Sequence, residues 1–213
     1  MIDRPASYRP RHVVVLAHPG RRSFNGAIAG AYCKAVAACG QEAIVRDLYA
    51  IGFDPVLKDA ERPHDDGFTL SADVASEREA IRSSDVFVLV YPIWFGMPPA
   101  MLKGYIDRVL GAGVTPRDVQ DGHGPALLSQ RLLVSITTSG ASRQWLNKQH
   151  QIESLRTLFG SYLVHAFGMR GYKDLHFGET SEGLAQEFVD ALIDRVEEFA
   201  RQICQDAAAA SQR

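Results

Sequence analysis

Residues 85–109 read DVFVLVYPIWFGMPPAMLKGYIDRV. The apolar run DVFVLVYP has the length and composition of a buried strand, and MLKGYIDRV re-enters a helix. Between them lies an aromatic loop rich in glycine and proline. Proline supplies no N–H and glycine tolerates unusual backbone angles, so such a loop is shaped for close approach to a ligand. Trp94 and Phe95 would stand at the carboxyl end of a central strand, where open α/β sheets bind their ligands. The plain alternative is a strand–helix connection whose aromatics are simply buried.

Outward from this segment, strands and helices alternate. Residues 12–17 (HVVVLA) read as a strand and about 24–39 as an alanine-rich helix, started by Ser23 or Asn25 and ended by Gly40. Residues 42–47 read as the second strand, 71–83 as an amphipathic helix capped by Ser71, and 85–91 as the third strand. A helix over 98–110, a fourth strand over 131–138, a long helix over 144–165, a fifth strand over 172–177 and a terminal helix over 183–204 follow. The irregular stretch 48–70 reads as an insertion over the surface. Residues 1–11 read as an arm, 12–204 as a single domain, and 205–213 as a frayed tail. Five alternations predict an α/β three-layer sandwich, a parallel sheet with helices on both faces. With right-handed crossovers, the order 2-1-3-4-5 brings the loops after strands 1, 3 and 4 to one crevice.

At 213 residues, 46% apolar and 23% charged, the chain suits one soluble domain with a sizeable core. A net charge of −2 gives no pull toward nucleic acid or an anionic membrane. Cys33, Cys39 and Cys204 form no CxxC and no zinc spacing, so free thiols in a reducing cytoplasm are expected and no metal site. The basic start MIDRPASYRPRH lacks the apolar region of a signal peptide, and no stretch approaches 18 apolar residues, so no membrane insertion is expected.

The three loops carry the candidate chemistry. In HPGRRSFN, Ser23 and Asn25 sit at a helix mouth whose unpaired N–H groups and dipole favour an anion, with Arg21 and Arg22 adding charge; ordinary N-capping is the alternative. GxGxxG and GxxxxGK[ST] are both absent. TTSGAS, residues 137–142, offers hydroxyls and backbone N–H groups as a nest, or is a mere turn. No GxSxG supports a serine nucleophile there. The scattered histidines carry little, Lys103 and Asp107 form an i,i+4 surface pair, and Met97 and Met101 suit either an adaptable pocket or the core.

Together HPGRRSFN, YPIWFGMPPAMLKGYIDRV and TTSGAS, with DLYAIGFDPVL at 47–57, resemble the NAD(P)H:quinone oxidoreductases of flavodoxin-like fold. Quinone reductases, drug-activity modulators and potassium-efflux ancillary oxidoreductases form this group, and the resemblance covers about 12–178. It implies a flavin, FAD with FMN as the alternative, reduced by NADPH or NADH. His18, Ser23, Phe24 and Asn25 would hold its phosphate and ribityl side. Pro92, Ile93, Trp94 and Phe95 would lie along the isoalloxazine, their N–H groups toward its N5 and O4 edge. Thr137, Thr138, Ser139 and Gly140 would hold the pyrimidine end. Ser139 departs from the glycine of many relatives. Trp145 replaces a pocket tyrosine, which leaves Trp145 and His150 as the candidate catalytic-pocket residues.

The activity so implied is ping-pong hydride transfer through flavin N5 to a quinone, in a homodimer whose second subunit completes the pocket. The alternatives are a general flavin, azo or nitro reductase and a flavin-binding regulatory subunit of a potassium-efflux transporter.

Overall fold

The computed structural model describes residues 8–62, 68–121, 127–181 and 183–211. In chain order the elements are β1 (Arg11–Leu16), α1 (Phe24–Ala38), β2 (Glu42–Asp47), a 3-10 turn (Asp59–Glu61), α2 (Ala72–Ile81), β3 (Val86–Pro92), α3 (Ala100–Tyr105), α4 (Pro116–Gln120), β4 (Leu132–Thr138), α5 (Arg143–Lys148), α6 (Gln151–Arg156), α7 (Tyr162–Ala166), β5 (Gly171–Phe177) and α8 (Gln186–Ser211). The expected sheet is present: five strands in the order β2-β1-β3-β4-β5, with every pairing parallel.

Side chains alternate across each strand, so every central strand feeds two cores. Val13, Val15, Phe87, Leu89 and Tyr91 face one way and meet Val74, Leu102, Tyr105, Leu155 and Phe159. Val14, Val86, Val88 and Val90 face the other way and meet Ile28, Tyr32 and Val36 of α1 with Val196, Ala200 and Ile203 of α8. β3 and β4 are buried at every position, which explains their unbroken apolar sequence.

Several boundaries differ from expectation for physical reasons. The long helix expected over 144–165 is interrupted at His150, which adopts a left-handed conformation (φ 56°). A π-helical turn at Thr157–Ser161 then joins α6 to α7. A second π-helical turn, Ile106–Leu110, extends α3. Ser71 stands at the start of α2 without capping it; its hydroxyl instead donates to Glu61. The tail expected to fray continues α8 through Ser211, held by Ala207 in the core. Most of the expected arm lies outside the described residues, as do His64 and His123; the Tyr8 hydroxyl donates to Asp85 at 2.6 Å.

The stretch expected to be a surface insertion is anchored. Leu48 and Phe53 enter the core, and the Pro55 carbonyl presses on Gly104, where a Cβ would lie only 2.1 Å away. Arg108, 0% exposed, donates from Nε to Glu61 at 2.7 Å, from Nη1 to Asp73 at 2.7 Å and to the Asp54 carbonyl. Its guanidinium also stacks on Phe53, 5.3 Å from the ring centroid.

Candidate functional site

A cleft of about 450 Å³ opens at the carboxyl ends of β1, β3, β4 and β5, within the usual range for a small-molecule site. Its walls include His18, Arg22, Ser23, Phe24 and Asn25 from the loop after β1, with Pro92, Ile93 and Trp94 after β3. Thr138, Ser139 and Gly140 come from the loop after β4. The crossovers thus deliver the three loops to one crevice, as the strand order demands.

At the first loop, Ser23 caps α1: its Oγ accepts from the Gly26 N–H at 3.1 Å. Asn25 is 4% exposed, and its Nδ2 donates to Thr138 Oγ1 at 2.9 Å. Its Oδ1 has no hydrogen-bond partner among the described residues. A buried polar atom left unpaired is costly, and here it belongs to a side chain lining the cleft. A ligand group that pairs with this carboxamide, in either orientation of the amide, removes that cost. His18 folds back to accept from the Gly20 N–H at 2.9 Å, and its ring lies 6.0 Å from that of Trp94.

The loop after β3 is a tight reversal. Trp94 and Met97 exchange both backbone hydrogen bonds (2.9 and 3.0 Å), and Phe95 and Gly96 between them have φ of 50° and 78°. Two positive φ values make this a type I′ turn, a geometry that costs a bulky residue such as Phe95 strain energy. Phe95 nevertheless sits at the tip, fully exposed. The turn corrects the expectation that the Ile93 and Trp94 amides point at a ligand edge. The Ile93 N–H donates to the Thr138 carbonyl at 2.7 Å and the Trp94 N–H to Met97. Pro92 has none, so within 92–97 the amides of Phe95 and Gly96 make no hydrogen bond among the described residues. Gly96 is favoured by its positive φ; a Cβ there would also meet the end of the flexible Gln151 side chain at 2.9 Å, which would have to move.

The third loop divides by strand alternation. Thr138 faces α1, whereas Thr137 points to the opposite face and pairs with His176 Nδ1 at 2.9 Å. Thr137 therefore does not line the cleft, contrary to expectation. Ser139 donates from Oγ to the Ala141 carbonyl at 2.7 Å and meets His176 Nε2 at 3.3 Å. Burial pushes the His176 pKa down to about 4, with Arg143 acting the same way, so the ring is neutral near pH 7. His176, which the sequence offers only as one of several scattered histidines, structural or exposed, underpins the loop.

Thr180 and Ser181, after β5, are further lining residues that local sequence did not signal. Thr180 clasps the Ser139 carbonyl with its N–H (2.9 Å) and hydroxyl (3.0 Å). The strand order contained the clue, since β5 lies beside β4. Phe95, Trp145 and His150 stand outside the cleft lining. Trp145 is half-exposed on α5, and the exposed His150 ring lies 3.6 Å from Glu153 at the helix break. Met97 lines a second, largely apolar hollow of about 700 Å³ with Leu158 and Tyr162, rimmed by the Lys103–Asp107 ion pair at 2.6 Å. Met101 packs against the core instead.

A parallel five-stranded sheet with a loop-built cleft at its switch point defines a doubly wound α/β protein of the flavodoxin type. A family model described as having a flavodoxin-like fold matches residues 10–203, and the chain belongs to that family. An uncharacterized NAD(P)H oxidoreductase of Haemophilus influenzae is 33% identical over 132 residues, 62% of this chain and 65% of that protein. NAD(P)H dehydrogenase [quinone] 1 of Rattus norvegicus is 34% identical over 155 residues, 63% of this chain and 56% of that protein. The chain thus spans less than two thirds of the length of these curated relatives. A solved NAD(P)H:quinone oxidoreductase from Methanothermobacter marburgensis superposes with a TM-score of 0.77 at 23% identity, covering 92% of this chain and 98% of that one, a likeness of fold. Among the described residues, no helix is long and apolar enough to cross a membrane, and no cluster of three or more His, Cys, Asp or Glu could hold a metal.

Proposed function

We propose that the chain is a flavin-dependent NAD(P)H:quinone oxidoreductase. The observation that carries this reading is the buried Asn25 carboxamide, unpaired on one side, in a cleft built from the three loops. The residues present fit a flavin. Ser23, Arg22 and the first N–H groups of α1 would take its phosphate, with Asn25 on the ribityl side. His18, Pro92, Ile93 and Trp94 form an edge for the ring system. Thr138, Ser139 and Gly140, clasped by Thr180, would face its pyrimidine end; the Ser139 N–H and hydroxyl are spent on the Phe177 and Ala141 carbonyls, so the Gly140 N–H and the Thr138 hydroxyl are the donors that would stabilise negative charge there. When bound, the flavin supplies hydride transfer from NADPH or NADH to a quinone. FAD is the preferred cofactor and FMN the alternative.

Trp94 and the exposed Phe95 offer flat walls to an aromatic substrate. The exposed apolar set Phe95, Met97, Trp145, Leu158 and Tyr162 supports a homodimer in which a second subunit covers the open side and brings Trp145 and His150 near the ring. Three free thiols support a reducing cytoplasmic setting.

In a stopped-flow apparatus, NAD(P)H alone should bleach the bound flavin before quinone is added. Double-reciprocal plots at several quinone concentrations should be parallel. Intersecting lines, or no bleaching without quinone, overturn the ping-pong reading. Faster turnover of azo dyes or nitroaromatics than of any quinone reassigns the acceptor. A flavin-loaded protein that oxidises NAD(P)H with none of them overturns the enzyme reading in favour of a regulatory flavoprotein.

A further inference from the structure

Behind the loop after β4, and outside the cleft lining, lies a histidine whose two ring nitrogens are both engaged. His176 is 4% exposed. Burial keeps its ring neutral, helped by Arg143 and Arg156 and opposed by Asp174, so one nitrogen carries a proton and the other accepts. The neighbouring hydroxyls decide which. Ser139 Oγ spends its single proton on the Ala141 carbonyl at 2.7 Å, so at the Nε2 contact of 3.3 Å the ring donates and the hydroxyl accepts. Nδ1 is then bare, and the Thr137 hydroxyl donates to it at 2.9 Å. The bonds run in one direction, from Thr137 through the ring to Ser139 and on to Ala141. A glycine at 139 would leave the buried Nε2–H without this acceptor.

Every polar group of Ser139 is thereby committed. Its N–H donates to the Phe177 carbonyl at 2.9 Å, and its carbonyl accepts from the Thr180 N–H at 2.9 Å and hydroxyl at 3.0 Å. That carbonyl shares a planar trans peptide with the Gly140 N–H, so holding the one toward Thr180 turns the other away from it. The Gly140 N–H makes no hydrogen bond among the described residues, and a Cβ built on Gly140 would meet nothing within 4 Å. The result is a fixed, unspent donor beside open space in the cleft wall.

We propose that His176 is a positioning residue: acting through Ser139, with Thr180 on the other side, it aims the Gly140 N–H at the pyrimidine end of a bound flavin and raises the flavin's reduction potential. The inference rests on the flavin reading above. A donor fixed in advance stabilises the negative charge that reduction places there more than it stabilises the neutral oxidised ring. His176 lies outside the cleft lining, so its effect passes through the loop.

The test loads the full-length apoprotein with FAD, or with FMN where FAD does not bind, and measures the two-electron midpoint potential against a reference dye. His176→Ala should weaken binding of the reduced flavin about tenfold more than that of the oxidised flavin, which lowers the potential by about 30 mV. Ser139→Ala should give the same shift, and the double variant no more than either alone, because the two residues act as one unit. His176→Gln keeps an N–H donor for Ser139 and should restore most of the potential. Should His176→Ala not fold, Ser139→Ala carries the test with Thr180→Val, which removes one of the two donors to the Ser139 carbonyl; both should lower the potential. Before any flavin is added, nitrogen NMR of the imidazole should show His176 protonated at Nε2 and bare at Nδ1. Potentials unmoved in these variants, additive shifts in the double variant, or the opposite tautomer would each overturn the proposal while the parent still binds flavin. A parent that takes up neither flavin instead overturns the flavin reading, and the proposal with it.

Discussion

Asn25 and Ser23 sit where helix, strand and loop meet, and their roles can be separated by measurement. If both contact the ligand, each contributes about 1 kcal/mol, so replacing both with alanine should raise the flavin dissociation constant roughly thirtyfold. Loss of the Ser23 cap should also lower stability by about 1 kcal/mol. An unchanged constant in a titration of apoprotein would remove this loop from the site. His12 and His176 make a second residue-scale test. Each is buried and neutral, with its pKa lowered by desolvation from 6.5 to about 4; Gln41 and Tyr32 hold His12, and Thr137 and Ser139 hold His176. In the unfolded chain both bind a proton near pH 6.5, whereas the folded chain binds it only near pH 4. Their contribution is therefore complete above pH 6.5 and is lost as pH falls toward 4, on the order of 3 kcal/mol for each. Urea midpoints should drop across that window, and His176→Gln should flatten the drop. A His176→Gln profile as steep as the parent's would show that His176 is not a titrating group.

At the scale of elements, the molecule depends on ties between segments far apart in sequence. Arg108 and Glu61 are 47 residues apart, and their pairing pins the segment after β2 against the π-helical extension of α3. The Arg108 guanidinium holds the Glu61 carboxyl down to about 2, with help from the Ser71 hydroxyl. Arg108→Met leaves that carboxylate buried without its cation and should cost about 3–5 kcal/mol, measured by urea unfolding. Adding Glu61→Gln should recover much of the loss, because the stranded charge is then gone. A single variant within about 0.5 kcal/mol of the parent would show that the network is not holding the segment. The Lys103–Asp107 pair was readable from its i,i+4 spacing, but no local spacing signals Arg108 with Glu61. The interruption at His150 was equally hidden: 144–165 has helical composition, and no local signal marks the left-handed residue that separates α5 from α6.

For the whole molecule, the exposed apolar set around the turn at Phe95 and the hollow beside α3 sets the expected assembly. Light scattering should return twice the chain mass of 23.4 kDa at assay concentration. A monomer at that concentration, with full turnover, would remove the second subunit from the pocket. Phe95 belongs to this scale as well as to its own residue. An aromatic held at positive φ and fully exposed is poorly used by an isolated chain; a partner surface that covers the ring removes the cost of its exposure and offsets the backbone strain.

By itself, the sequence determined the class of fold and the location of the cleft. Apolar runs alternating five times with amphipathic helices admit one layered arrangement, and right-handed crossovers then carry the loops after β1, β3 and β4 to a shared edge. Tertiary structure alone decided which atoms those loops leave available. A type I′ turn uses the Trp94 amide internally, strand alternation turns Thr137 away while Thr138 meets Asn25, and His176 and Thr180 fix Ser139 from a neighbouring strand. Periodicity reports which face of an element is buried. Hydrogen bonds between segments tens of residues apart depend on register and packing, which become definite only when the sheet is assembled.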